Sequence, residues 1–134
     1  MPTKIFVNLA VKDLNRSVEF FTKLGYQFNA QFTNADATCM IIADDIYAML
    51  LVEPFFQTFT KKAICDTKTT VEALLALTVD SRQAVDEFVN KALAAGATEP
   101  KSAQDQGFMY SRIFEDLDGH TWEIFWMDPS AVQQ

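Results

Sequence analysis

The chain has 134 residues, 49% of them hydrophobic and 22% charged, with a formal net charge of -7 and a pI near 4.5. That is enough apolar material for one compact core, and it argues against disorder. The acidic balance excludes a nucleic-acid or anionic-membrane partner, which needs clustered Lys and Arg; here only Lys61 and Lys62 are adjacent.

Ile5 to Val11 reads as a buried strand, and Asp13 caps the helix that follows by accepting backbone N–H bonds. Leu14, Val18, Phe21 and Leu24 form the apolar stripe of that helix, which stops at Gly25. Three strands are predicted next, over Tyr26 to Phe32, Thr38 to Ile42 and Ile46 to Val52, with turn signals at Asn34-Ala35-Asp36 and Asp44-Asp45. Pro54 ends the last strand. Phe55 to Lys62 reads as a short helix or loop, and a polar joint runs from Asp66 to Thr70.

The pattern then repeats. Val79-Asp80-Ser81 stands 68 residues after Val11-Lys12-Asp13, again closing an apolar stretch (Leu74 to Val79) and opening a helix. Ser81 is the cap, and Val85, Phe88, Ala92 and Ala95 form the inner face. Gly96 lies 71 residues after Gly25, so the second helix is three residues longer, close to one turn. Strands follow at Thr98 to Ser102, Phe108 to Phe114 and Thr121 to Trp126, and a tail begins at Asp128-Pro129.

Each half therefore reads βαβββ, and the whole as an α+β fold of two modules, about 4–60 and 71–128, in a single domain spanning 1–134. Mainly antiparallel sheets would curve around a cavity. A duplicated unit must pack its apolar face on its copy or on a partner, and the cleft at the seam is where a ligand is expected. No run of about 18 apolar residues spans a bilayer, and the chain opens without the basic and apolar regions of a signal peptide, so a cytoplasmic protein is expected. Cys39 and Cys65 are expected to be free thiols.

The run Asp116-Leu117-Asp118-Gly119-His120-Thr121-Trp122-Glu123, with Val11 to Ser17 and Leu24-Gly25-Tyr26, resembles the glyoxalase, bleomycin-resistance and extradiol-dioxygenase superfamily, the vicinal oxygen chelate proteins. The resemblance covers about Lys4 to Pro129. It implies paired βαβββ modules forming a cup, a homodimer, and a substrate held in the cup. In members that use a metal, one His or Glu from the first and last strand of each module holds a divalent ion, which acts as a Lewis acid on two substrate oxygens.

Carried onto this chain, those four positions are Phe6, Met49 or Leu51, Leu74 and Glu123. Only Glu123 is a credible donor, whereas such a site needs about three or four. His120 is three residues from Glu123, which on one strand puts the two on opposite faces, and Glu53 is cut off by Pro54. Alternation places Thr121, Glu123 and Phe125 on the cavity face and Trp122, Ile124 and Trp126 outside, against helices or a second subunit. Glu123 reads either as an acid, base or ligand acceptor, or as a carboxylate paired with an arginine, with Arg112 the natural partner. Arg112 itself faces either the cup, where it would bind an anionic ligand, or the helices. Phe55, Phe56 and Phe59 read as an aromatic lid or as core and dimer packing, and His120 and Gly119 as turn residues.

The expectation is a cytoplasmic homodimer binding a hydrophobic or aromatic small molecule without a metal cofactor. Phe6, Leu74, Met49, Leu51, Arg112 and Phe125 would line the ligand and Glu123 would be the catalytic group if a reaction occurs. The alternatives are a metal-dependent lyase, isomerase or dioxygenase of the same superfamily, and a structural or regulatory dimer whose cup is filled by its own side chains.

Overall fold

The computed structural model describes residues 2–131. The chain divides into two compact units that meet between Asp66 and Thr67, inside the polar joint. The first holds β1 (Ile5–Val11), α1 (Leu14–Lys23), β2 (Gln27–Asn29), β3 (Ala37–Ala43), β4 (Ile46–Val52) and the one-turn helix α2 (Glu53–Phe56). The second holds β5 (Leu74–Thr78), α3 (Arg82–Ala94), β6 (Gln104–Asp105), β7 (Met109–Glu115) and β8 (Thr121–Met127). Both run βαβββ, so the fold is α+β. Each unit has a four-stranded mixed sheet, ordered β1-β4-β3-β2 and β5-β8-β7-β6, with its first and last strands parallel and the other pairs antiparallel.

The repeat is carried by matching helix ends. The Asp13 carboxylate accepts from Arg16 N at 3.1 Å and the Ser81 hydroxyl from Ala84 N at 3.0 Å, each satisfying a first-turn donor the helix cannot. At the other ends Gly25 N donates to Thr22 O and Tyr26 N to Phe21 O, as Gly96 N does to Leu93 O and Ala97 N to Ala92 O. α3 has 13 residues and α1 has 10, the one-turn difference expected.

Two strands are shorter than the apolar pattern suggests. β2 stops at Asn29 because its side chain accepts from Gln31 N and turns Ala30–Phe32 into a 3-10 helix. Thr98 to Ser102 makes only an isolated bridge, Thr98 with Glu115, and the paired residues are Gln104 and Asp105. Pro100 removes a ladder donor there. The Asn34 turn is as read: its side-chain oxygen accepts from Asp36 N and Ala37 N. Ser17 and Phe20 in α1 and Val89 in α3 are buried beyond the residues the stripes named, while Leu14 and Val18 are half-buried.

The Asp116 to Glu123 run is a turn braced by one buried carboxylate. Asp116 Oδ1 accepts from Asp118 N at 2.9 Å and His120 N at 3.0 Å, and Oδ2 from the Trp122 indole at 3.0 Å. Burial pushes this carboxyl up, against the pull of nearby His120 and of the three bonds it accepts. Gly119 has φ +81°, and a Cβ there would lie 2.7 Å from the Thr67 hydroxyl oxygen, so both conformation and space demand glycine. Thr67 hydrogen-bonds Asp118 O, and His120 Nδ1 meets Glu72 Oε1 at 2.6 Å. His120 is thus a turn residue, 5% exposed, and the segment before β5 is tied down on it.

Arg82 clamps the other end of the second unit. Its guanidinium forms a bidentate pair with Asp105, donates to Gly107 O, and lies 5.4 Å from the Tyr110 ring centre and 5.1 Å from that of Trp126. The Arg82 hydrogen bonds and that of Gly107 N hold the Asp105 carboxyl down at about 2.

Two outcomes are expected. Asp116→Asn keeps the acceptor for two backbone donors but turns an amide donor towards the Trp122 N–H, so urea unfolding should show a loss of about 1–3 kcal/mol; a loss under about 0.5 kcal/mol contradicts the bracing role. Asp105, with its folded value depressed, stabilises above its ordinary value of 3.8 and loses that contribution as pH falls towards about 2. Stability of the wild type should therefore fall more steeply than that of Asp105→Asn over this acid range.

Candidate functional site

Alternation sorts the first sheet into two faces. Parallel register sets Phe6 beside Tyr47, Asn8 beside Met49 and Ala10 beside Leu51, and the antiparallel partner adds Cys39 opposite Met49 and Ala37 opposite Leu51. Leu9, Met40, Ala48 and Leu50 belong to the other face; all are 3% exposed or less, and α1 packs against β4. Burying one such side chain contributes about 1.5–3 kcal/mol, so this face is committed to the core.

The face of Phe6 and Met49 is built differently. Phe6 stacks on Tyr47 with ring centres 4.7 Å apart and remains 46% exposed. Beyond β4, α2 begins at Glu53 with Pro54 in its first turn, and it and the following 3-10 turn (Gln57–Phe59) bring Phe56 and Phe59 to the cavity beside Asn8 and Leu51. Asn8, Leu51, Phe56, Phe59 and Thr60 then line a cavity of about 320 Å³. Phe55 meets Phe59 edge to face at 5.2 Å, and Phe59 stays 69% exposed, so it walls the cavity and takes no place in the core. Of the sequence-derived ligand residues, Phe6, Met49 and Leu51 share this face. Asn8 and Thr60 carry no signal in the sequence, because an isolated Asn in a strand or Thr in a loop has no pattern.

In the second unit β8 carries Thr121, Glu123 and Phe125 on one face, with Leu74, Ala76 and Thr78 of β5 beside them. Glu123 is half-buried between Ala76 and Ile113, and among the described residues no hydrogen bond or ion pair engages its carboxylate. Leu74, on the edge strand, is 68% exposed. Trp122, Ile124 and Trp126 take the opposite face, as alternation required, and Trp122 and Ile124 are buried.

Arg112 requires a correction. It lies opposite Ile124 and turns towards α3, where it donates to Asp86 at 3.1 Å and Asn90 at 3.0 Å and makes a bidentate pair with Glu99 at 2.9 and 3.0 Å. Its guanidinium makes four hydrogen bonds and sits on the face away from Glu123. It neither lines a ligand surface nor neutralises Glu123. Tyr110 donates to the same Asp86 oxygen at 2.7 Å, extending the network. Glu99 belongs to the segment that fails to form a strand, so its meeting with Arg112 followed from no periodicity.

The metal positions of the family can be tested against these residues. Phe6 and Leu74 have no donor atom, and Met49 and Leu51 offer at most a soft thioether, a poor ligand for a hard divalent ion. Glu53 begins α2 and does not extend β4. His120 is held by Glu72 and precedes β8. Among the described residues no group of three or more His, Cys, Asp or Glu side chains is placed to share an ion. The donor set does not fit the family's metal. Cys39 is buried and Cys65 half-buried, neither is in a disulfide, and burial pushes the Cys39 thiol up. No helix among the described residues is long and apolar enough to cross a membrane.

Residues 3–43 match the family model described as bleomycin resistance protein-like N-terminal. Over the whole chain, the structure of a hypothetical protein from S. aureus superposes with a TM-score of 0.80 at 26% identity, covering 94% of this chain and 95% of that one. The fold is that of the vicinal oxygen chelate superfamily. A glyoxalase-related enzyme from Fulvimarina pelagi matches this vicinal oxygen chelate fold with a TM-score of 0.79 at 20% identity, over 94% of this chain and 88% of its own. The fosfomycin resistance protein FosX from Mesorhizobium loti does so at 0.69 and 13%, over 97% and 96%. No curated relative matches the sequence. Within this superfamily one fold carries many chemistries, so the residues, and not the fold, must decide.

The Arg112 network predicts a structural phenotype. Arg112→Gln, which leaves Glu99 and Asp86 without their cation, should lower unfolding free energy by about 2 kcal/mol or more in urea titrations and leave the affinity for any small molecule unchanged. Lost binding at unchanged stability would restore the anion-binding role.

Proposed function

We propose that this protein binds a hydrophobic or aromatic small molecule without the metal ion of its superfamily, on the sheet face that carries Phe6, Met49 and Leu51. The observation that carries the reading is chemical. Three of the four positions that would hold an ion are apolar, and one of them, Leu51, with Phe56 and Phe59, bounds a cavity of about 320 Å³. Replacing donors by hydrocarbon turns an ion site into one that favours organic surface, since apolar groups leaving water contribute about 25 cal/mol per Å². The cavity is at the small end of ligand pockets, about 300–1,000 Å³, and is mostly apolar with few polar groups, as such pockets are.

This supports binding or sequestration over a filled, purely structural interior. The protein acts in this reading as a homodimer in the cytoplasm. Glu123, half-buried beside Thr121 and Phe125, is the group to supply an acceptor or a proton on the second sheet if the bound molecule is transformed.

Native mass spectrometry with elemental analysis, on untagged protein before and after incubation with nickel, zinc, manganese and ferrous iron, tests the reading. A dimer carrying an organic adduct and no stoichiometric ion is expected. About one ion per subunit, lost in Glu123→Ala, would overturn it and make Glu123 part of a metal centre built from other groups. Glu123→Gln should weaken ligand binding or turnover while thermal stability stays within about 0.5 kcal/mol, as for a substitution that breaks no intramolecular bond.

A further inference from the structure

Resting on the binding reading above, the polarity of the first-unit cavity narrows the class of molecule it takes. Its lining holds two polar side chains, Asn8 and Thr60, and no charged one. Internal hydrogen bonds fix what each can offer. The Asn8 amide nitrogen donates one of its two hydrogens to Phe6 O at 3.2 Å, which orients the amide, and among the described residues no donor meets Oδ1, the wholly unengaged atom it offers a ligand. An amide oxygen can only accept. The Thr60 hydroxyl oxygen already accepts from Lys62 N at 3.1 Å and the Thr60 carbonyl from the Gln57 amide at 3.0 Å, so the Thr60 O–H is the free donor.

The rest of the wall is Leu51 with the rings of Phe56 and Phe59, and Phe59 is braced edge to face by Phe55. Aromatic rings in a cavity wall favour a flat ring system, stacked or edge to face. No Lys, Arg or His lines the cavity to compensate an anion, and the chain carries a net charge of -7. A carboxylate or phosphate would lose its hydration there without a partner.

We infer that the site selects an uncharged planar aromatic, bicyclic or tricyclic, bearing a hydrogen-bond donor on its rim that pairs with Asn8 Oδ1. Asn8 is then the specificity-determining residue: the aromatic wall binds the ring, and the amide oxygen chooses among rings of similar size. A ligand that places an acceptor near Thr60 gains a second bond.

The test compares naphthol, its methyl ether and naphthoate by titration calorimetry at neutral pH. The three share a ring system and differ in having a neutral donor, no donor, or a charge. Wild-type protein should bind naphthol about 3- to 10-fold more tightly than the ether, the range one neutral hydrogen bond supplies, and naphthoate more weakly than both. Asn8→Leu should bring naphthol down to the affinity of the ether, whereas Asn8→Asp, which keeps an acceptor oxygen, should retain the preference. Equal wild-type affinities for naphthol and the ether, or a preference that survives Asn8→Leu, would overturn the selection while leaving an aromatic-binding site in place. Failure of all three probes to bind the wild type would overturn the binding reading itself.

Discussion

Within each unit, the parallel pairing of the first strand with the last is the constraint on which the site depends. A helix and two further strands between them bring the chain back in the same direction, and the register then sets residues 41 and 47 positions apart side by side: Asn8 beside Met49, Ala76 beside Glu123. Because side chains alternate, one face of that pair is surrendered to the helix. Leu9, Ala48 and Leu50 take it in the first unit, and Trp122 and Ile124 in the second, all buried. The other face is left to be finished by whatever follows. In the first unit that is α2 and its 3-10 turn, and their rings convert a sheet surface into a cavity.

Once the faces are assigned, the chemistry of the superfamily's ligand positions becomes a question about single side chains. Phe6, Met49, Leu51 and Leu74 answer it on the side of hydrocarbon, and Glu123 alone retains a carboxylate. The charged groups that do form networks in this chain serve the fold. Arg112 is spent on Glu99, Asp86 and Asn90, Arg82 on Asp105 and two aromatic rings, and Asp116 on the turn ahead of β8. Burial makes the bonds of Asp116 and Arg112 costly to leave unmade, and the bidentate geometry at Arg82 commits its guanidinium to Asp105, so such residues are poor candidates for chemistry on a ligand.

What could be read from the sequence follows the range of the interaction. Helix caps at Asp13 and Ser81, the glycine stops, the strands of regular alternation and the face shared by Phe6 and Met49 are local or periodic, and the structure has them where the residues put them. The partners of Arg112 are neither: Asp86 comes from a helix and Glu99 from an irregular segment behind Pro100, and only the packing of α3 on β7 brings them together. The Glu72 contact of His120 spans 48 residues and is equally silent in one dimension. Asn8 and Thr60 are silent in the sequence for another reason. A polar side chain becomes a ligand group only when its internal hydrogen bonds leave one atom over, and that is a property of three-dimensional neighbours.

The most direct test of an organic ligand on the Phe6 and Met49 face is methyl NMR of protein labelled at the methionine methyls. Met49 lies on that face, and Met40, wholly buried on the other, is an internal control. Addition of a neutral bicyclic aromatic should move the Met49 signal saturably by the ring current of the bound molecule while Met40 stays fixed. A Met49 signal that does not move at saturating probe, or one that moves no more than Met40, would contradict a ligand on this face.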